Sequence, residues 1–244
     1  MSADLLVIGV CAVLTAALAA LGPAVISRLP EPKLDADATE VDATEVDATK
    51  KLLYRDLVTR RSLRVELAAV GALAGAGVGW RLGADPLVAT WVYLSAVGVV
   101  LAYVDARTRL LPTRIIAPSY GIVVALLLTA AAVDQDAQLL ARAALGWVVM
   151  GGLYLFLWFV HPRGLGYGDV RLSGLLGIGL GAVGWGSLAA GVYVGFLLGG
   201  VGGLALIVTR RASRRSFPFG PYMLMGALVG VVWGERLAHW YTSR

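Results

Sequence analysis

Two aspartates stand where long apolar runs meet short polar turns. Asp105 follows the run Pro86 to Val104, and Asp169 precedes the run Val170 to Val183. An ionisable residue at the edge of a hydrocarbon layer is expensive to keep and marks a functional site by default. Brought together in a partly desolvated site, two carboxylates cannot both ionise easily, so the pair shares a proton. One member can then activate water while the protonated member polarises a carbonyl, which is acid–base hydrolysis. Asp169 also closes a glycine-dense stretch, Gly164-Leu165-Gly166-Tyr167-Gly168. Without a Cβ at alternate positions, another backbone can approach closely. Taken singly, each aspartate has a plainer reading: a solvated residue or helix cap for Asp105, and an N-cap for Asp169.

No other catalytic set competes. The two histidines, His161 and His239, lie far apart, and the single cysteine, Cys11, sits inside an apolar run. That excludes an intramolecular disulfide and a cysteine-based zinc site. Neither a Ser/His/Asp arrangement nor a histidine cluster is recognisable, so the expectation is chemistry without metal or organic cofactor.

The elements that must position the pair are membrane helices. Of 244 residues, 58% are hydrophobic and 15% charged, against about 45–50% and 25% in soluble proteins. The net charge of +5 does not call for nucleic acid, because of where the charges lie. Eight Lys and Arg fall in 28–64, three in 105–114, two in 161–171 and four in 210–215. Basic residues in alternate inter-helix segments follow the positive-inside pattern and set those segments in the cytoplasm.

Taken in order, a first span runs from Leu5 to Ser27. It lacks the positive n-region of a cleavable signal peptide, so it reads as a retained helix whose N-terminus lies outside. Residues 31–50 are low complexity: Asp37-Ala-Thr-Glu-Val41 repeats as Asp42-Ala-Thr-Glu-Val46 and then Asp47-Ala-Thr-Lys50. Such a segment reads as a solvated spacer, or as an acidic attractor for a basic substrate. Lys50 to Arg64 is a basic juxtamembrane anchor. Further spans follow at Leu63–Trp80, Pro86–Val104, Arg114–Val133, Ala143–Val160, Val170–Val183, Leu188–Thr209 and Pro221–Trp233. The fold class is therefore all-α integral membrane, a polytopic bundle of about eight transmembrane helices with both termini outside. The domain reading is a first helix (1–27), a linker (28–61), a transmembrane core (62–236) and a tail (237–244). Gly195, Gly199 and Gly203 are spaced for close helix packing.

Gly166-Tyr167-Gly168-Asp169 resembles the GxGD signature of membrane aspartic proteases. The longer run Gly164 to Leu172 is similar to the motif of type IV prepilin peptidases, with a basic residue, Arg171, two places after the aspartate. Asp105-Ala-Arg-Thr-Arg-Leu-Leu-Pro112 is similar to that family's first motif. Ser27-Arg28-Leu29-Pro30 and Phe217-Pro218-Phe219-Gly220-Pro221 resemble the end of its first helix and the start of its last. The resemblance covers nearly the whole chain. It implies that Asp105 and Asp169 are the catalytic dyad and that Gly166 and Gly168 shape the loop receiving the substrate backbone. It implies a prepilin or pseudopilin substrate, cut at the cytoplasmic face of the plasma membrane between a basic leader and a hydrophobic helix. Longer bacterial members carry paired CxxC zinc ligands between helices one and two and also N-methylate the product. No cysteine stands in that slot here, which implies a short, peptidase-only form.

Arg171 is open between pairing with Asp169 and a lipid or structural role, with the second favoured. His161 and Glu66 read as bystanders. Two other classes remain: a transporter whose aspartates carry protons or cations, which requires carboxylates near the midplane and broken helices, and a non-catalytic scaffold.

Overall fold

The computed structural model describes residues 2–31, 54–60, 62–162, 165–208 and 218–243. The acidic repeat, the basic cluster Arg210 to Arg215, Gly164 and Phe217 lie outside the described residues. Among those described, the chain is helical without a strand. The helices are α1 (Ser2–Ala20), α2 (Gly22–Ile26), α3 (Tyr54–Leu57), α4 (Leu63–Leu82), α5 (Leu87–Thr108) and α6 (Thr113–Asp134), then α7 (Ala137–Gly146), α8 (Gly152–Val160), α9 (Tyr167–Val183), α10 (Trp185–Val208) and α11 (Gly220–Thr242). A single π turn, Trp147–Gly151, joins α7 to α8.

Among the described residues, six segments are long and apolar enough to cross a bilayer: Asp4–Ile26, Leu63–Leu82, Leu87–Thr108, Thr113–Asp134, Ala137–Val160 and Trp185–Gly202. The expected count of about eight is approached by two more long helices, α9 and α11, which complete the bundle without meeting that measure. Outward faces are apolar, with Leu6, Val13, Leu73, Phe156 and Phe159 among the most exposed large side chains. Such a surface suits lipid and not water. The protein is a multi-pass membrane protein.

The physical reason α9 stands apart is its position. Leu172 through Ala182 are all buried, so α9 is the central rod around which the others stand. A helix buried on every side has no polar stripe to keep, and small residues let its neighbours come close. A Cβ on Gly181 would lie 2.5 Å from the Arg142 carbonyl oxygen, and one on Gly177 would collide with the Gly146 carbonyl. The helix pair α1 and α4 meets in the same way. Gly71, Gly75 and Gly79, one turn apart, lie against Ala19, Thr15 and Cys11.

Antiparallel connections gather the C-termini of α2, α5, α8 and α10 and the N-termini of α4, α6, α9 and α11 at one end of the bundle. Contacts at that end confirm it. The Tyr103 hydroxyl donates to the Leu57 carbonyl at 3.0 Å, and the Tyr54 N–H donates to Glu31 Oε2 at 2.8 Å. At the opposite end, Glu235 Oε1 accepts from the Ser187 N–H at 2.8 Å, and the Arg236 guanidinium lies 4.8 Å above the centre of the Trp80 ring.

Candidate active site

Asp105 does not end its helix in solvent. The sequence expectation closes the third span at Val104, but α5 continues to Thr108 and Asp105 is only 3% exposed. The extra turn ends at Arg109, whose left-handed backbone (φ 57°) lets its N–H donate to the Asp105 carbonyl at 2.7 Å. A left-handed C-cap is ordinarily glycine's place. Here it turns the chain sharply through Leu110 and Leu111 into Pro112, whose extended backbone starts α6. The Arg109 guanidinium acts electrostatically on the Asp105 carboxylate.

Asp169 lies in the first turn of α9, three residues after the N-cap Gly166, and is 8% exposed. Its Oδ2 accepts from the Gly166 N–H at 3.0 Å, while its own N–H donates to the Gly166 carbonyl at 3.0 Å. A carboxylate at this position satisfies an orphan N–H and meets the positive end of the helix dipole. Gly166 is extended (φ −75°, ψ 145°), and a Cβ on Gly168 would stand 2.8 Å from the Leu111 Cβ. Gly168 thereby seats the start of α9 directly on the segment that follows Asp105.

The two aspartates lie at the same end of the bundle, where Gly168 at the start of α9 packs on Leu111 just after α5. Each is buried and holds one backbone N–H on one oxygen. For Asp105 that donor is Gly220, at 2.9 Å from Oδ2. His161 and Glu66 take no part in these bonds. Arg171 does not pair with Asp169. Its guanidinium donates to Thr113 Oγ1 and lies 4.6 Å over the centre of the Tyr167 ring. It ties the start of α9 to the start of α6, a structural role in keeping with the favoured expectation. The Tyr120 hydroxyl adds a second tie, donating to the Arg171 carbonyl at 2.7 Å.

Gly220 escaped the sequence reading as the partner of Asp105, since it was legible only as part of a proline- and glycine-containing stretch.

An apolar groove of about 380 Å³ opens between α4, α5 and α11, lined by Trp91, Leu94, Gly98, Leu224 and Leu228 among others. Its upper end reaches Ala102, Tyr103 and Pro221, next to Asp105 and Gly220. Among the described residues, no group of three or more His, Cys, Asp or Glu could hold a metal ion.

Residues 92–208 match the type IV leader peptidase family. A prepilin leader peptidase/N-methyltransferase of Aeromonas salmonicida is 32% identical over 160 residues, which are 64% of this chain and 52% of that protein. One from Pseudomonas putida is 32% identical over 188 residues, 73% of this chain and 62% of the relative. One from Bacillus subtilis is 28% identical over 178 residues, 72% of this chain and 67% of the relative. The chain thus spans little more than half the length of the first of these relatives. No solved structure matches the chain.

Proposed function

We infer, from the match of residues 92–208 to the type IV leader peptidase family, that the protein is a membrane aspartic endopeptidase with Asp105 and Asp169 as its dyad. The observation that carries the reading is the pair itself. Two buried carboxylates, in the last turn of α5 and the first turn of α9, lie at one end of a membrane bundle, each fastened by a single backbone N–H, with Gly168 beside Asp169 packed on Leu111 of the segment after Asp105. In the proposed reaction the ionised aspartate takes a proton from water as the oxygen attacks the scissile carbonyl. The protonated aspartate gives its proton to the carbonyl oxygen, yielding a neutral tetrahedral diol. The aspartate that took the water proton then gives it to the departing amide nitrogen while the other takes a proton from a diol hydroxyl, so the C–N bond breaks and the pair again holds one proton.

The substrate proposed is a prepilin or pseudopilin with a basic leader and a hydrophobic helix. Two features support that class. The dyad lies at the end of the helices, where a peptide leaving the bilayer becomes extended, and an apolar groove runs from Ala102 and Pro221 into the membrane zone. Gly166 and Gly168 are proposed to shape the loop beside the substrate backbone. The site is proposed to face the cytoplasm at the plasma membrane, by the distribution of Lys and Arg between alternate connections. N-methyl transfer is not part of this reading. The stretch between α2 and α4 holds no cysteine, and the one cysteine, Cys11, is buried against α4.

The transporter alternative needs carboxylates near the midplane, whereas Asp105 and Asp169 occupy the last and first turns of their helices. The test is co-expression with a prepilin, reading loss of the leader as a mobility shift. Cleavage by wild type that fails in both Asp105→Ala and Asp169→Ala, with all three proteins inserted, supports the dyad. Normal cleavage by either variant overturns it.

A further inference from the structure

Among the described residues, Tyr154 is one of the largest side chains fully enclosed in the bundle, with 0% exposure. Its hydroxyl oxygen is buried without a partner, and so is Asp169 Oδ1. A buried polar atom left unpaired is costly, and native proteins satisfy nearly all of them. These two face one another across α8 and α9: a Cβ on Gly151 would lie 3.4 Å from Gly174 Cα and the Trp158 ring is 5.3 Å from that of Tyr167, which sets Tyr154, between them, opposite the start of α9 that carries Asp169. Asp169 Oδ2 is already taken by the Gly166 N–H, which leaves Oδ1 as the oxygen that needs a donor.

The position of Tyr154 is built, not incidental. Its ring stacks on Phe196 of α10 at 5.1 Å between centres and tilts against Phe219 at 6.1 Å. Phe219 is the N-cap of α11 and precedes Gly220, the donor to Asp105. The ring therefore stands between Asp169 and the corner that fastens Asp105. Upstream, the π turn Trp147–Gly151 adds one residue to the helix, which rotates the following residues by about 100° relative to an unbroken helix. Such turns occur often at functional sites, and this one decides which way Tyr154 faces.

We propose that Tyr154 is a positioning residue of the dyad, its hydroxyl hydrogen-bonding Asp169 Oδ1 through a single water and so fixing how that carboxylate presents to Asp105. A water with two to four polar partners is the usual way such orphans are satisfied. The charged groups around the pair are Asp105 and, beyond it, Arg109. The proposal rests on the peptidase reading for its consequence, though not for the contact itself.

The test compares two substitutions in the full-length membrane protein. Tyr154→Phe keeps the ring stack and deletes only the hydroxyl; Tyr154→Leu deletes both. The expected result on a prepilin reporter is that both lose roughly tenfold or more in kcat, with KM for the Phe variant close to wild type. Wild-type kcat for Phe with a fall only for Leu means the ring packs and the hydroxyl does nothing, which overturns the proposal. Infrared spectra of protein with isotope-labelled aspartate carboxyls read the contact without substrate. The band lost in Asp169→Asn should shift in Tyr154→Phe, and an unshifted band overturns the proposal whatever the activity. If wild type cleaves no prepilin, the peptidase reading falls, while the infrared comparison still decides the contact.

Discussion

The backbone N–H of Gly220 donates to Asp105 Oδ2 at 2.9 Å, joining the last turn of α5 to the first turn of α11. The bond is possible only because position 220 is bare. A Cβ there would lie 2.7 Å from the same oxygen. Gly220→Ala is therefore expected to push the Asp105 carboxylate aside while leaving the helices in place. A displacement of about 1 Å in a catalytic group can cost on the order of 100-fold in rate, and that is the loss expected in a leader-cleavage assay. Helical circular dichroism and membrane insertion should match wild type. Full activity in a properly inserted Gly220→Ala would mean that this bond does not position the carboxylate.

The dyad makes a prediction about additivity. If Asp105 and Asp169 share one proton and act in one step, removing either disables the unit. Asp105→Asn and Asp169→Asn should each cost roughly 10²–10⁴-fold, and the double variant should be about as slow as the slower single one. Rates that multiply in the double variant would assign the two residues to separate roles.

What the sequence made legible was type and approximate depth. Asp105 and Asp169 stood out as carboxylates beside apolar runs, and the runs located most helices to within a few residues, although α7 begins at Ala137 rather than Ala143 and α11 runs on past Trp233 to Thr242. The misses are physical. The third run seemed to end at Val104 because Asp105, Arg107 and Arg109 look like solvent residues. The helix takes in another turn because Arg109 accepts a left-handed backbone and Asp105 finds its donor 115 residues away. No local pattern encodes that partner. Likewise, Tyr154 reads as one more apolar position until the π turn is known, since a one-residue insertion changes its face and leaves the composition untouched. For Arg171 the sequence left open pairing with Asp169 or a lipid or structural role, the second favoured, and the side chain reaches Thr113 and Tyr167.

Close packing of α7 on α9 yields a stability prediction independent of chemistry. Gly181 faces the Arg142 carbonyl and the Gly146 Cα, so its missing side chain sets the distance between the two helices. Gly181→Val should overpack this contact and cost about 1–3 kcal/mol. A thermal melt in detergent, read by intrinsic fluorescence, should show a lower midpoint than wild type. Gly152→Ala is the control, since nothing lies within contact distance of a Cβ at that position. Equal midpoints for Gly181→Val and wild type would mean that the helices separate freely.

The turn before α7 carries a pH-dependent cap. Asp136 Oδ1 accepts from the N–H groups of Gln138 at 2.9 Å and Leu139 at 3.2 Å, and its Oδ2 accepts from Arg142 at 3.1 Å. Burial pushes this carboxyl up, but the Arg142 guanidinium and the two N–H groups outweigh it and hold the group below its ordinary value. For a folded pKa depressed in this way, the stabilisation is complete above the unfolded value of about 3.9 and disappears as pH falls through the folded one. Hydrogen exchange at Gln138 and Leu139 should therefore lose protection on acidification. Asp136→Asn keeps a good N-cap oxygen but carries no titrating charge, so its protection should stay flat over the same interval. A wild type as flat as the Asn variant would show that the ionised carboxylate is not what holds the turn.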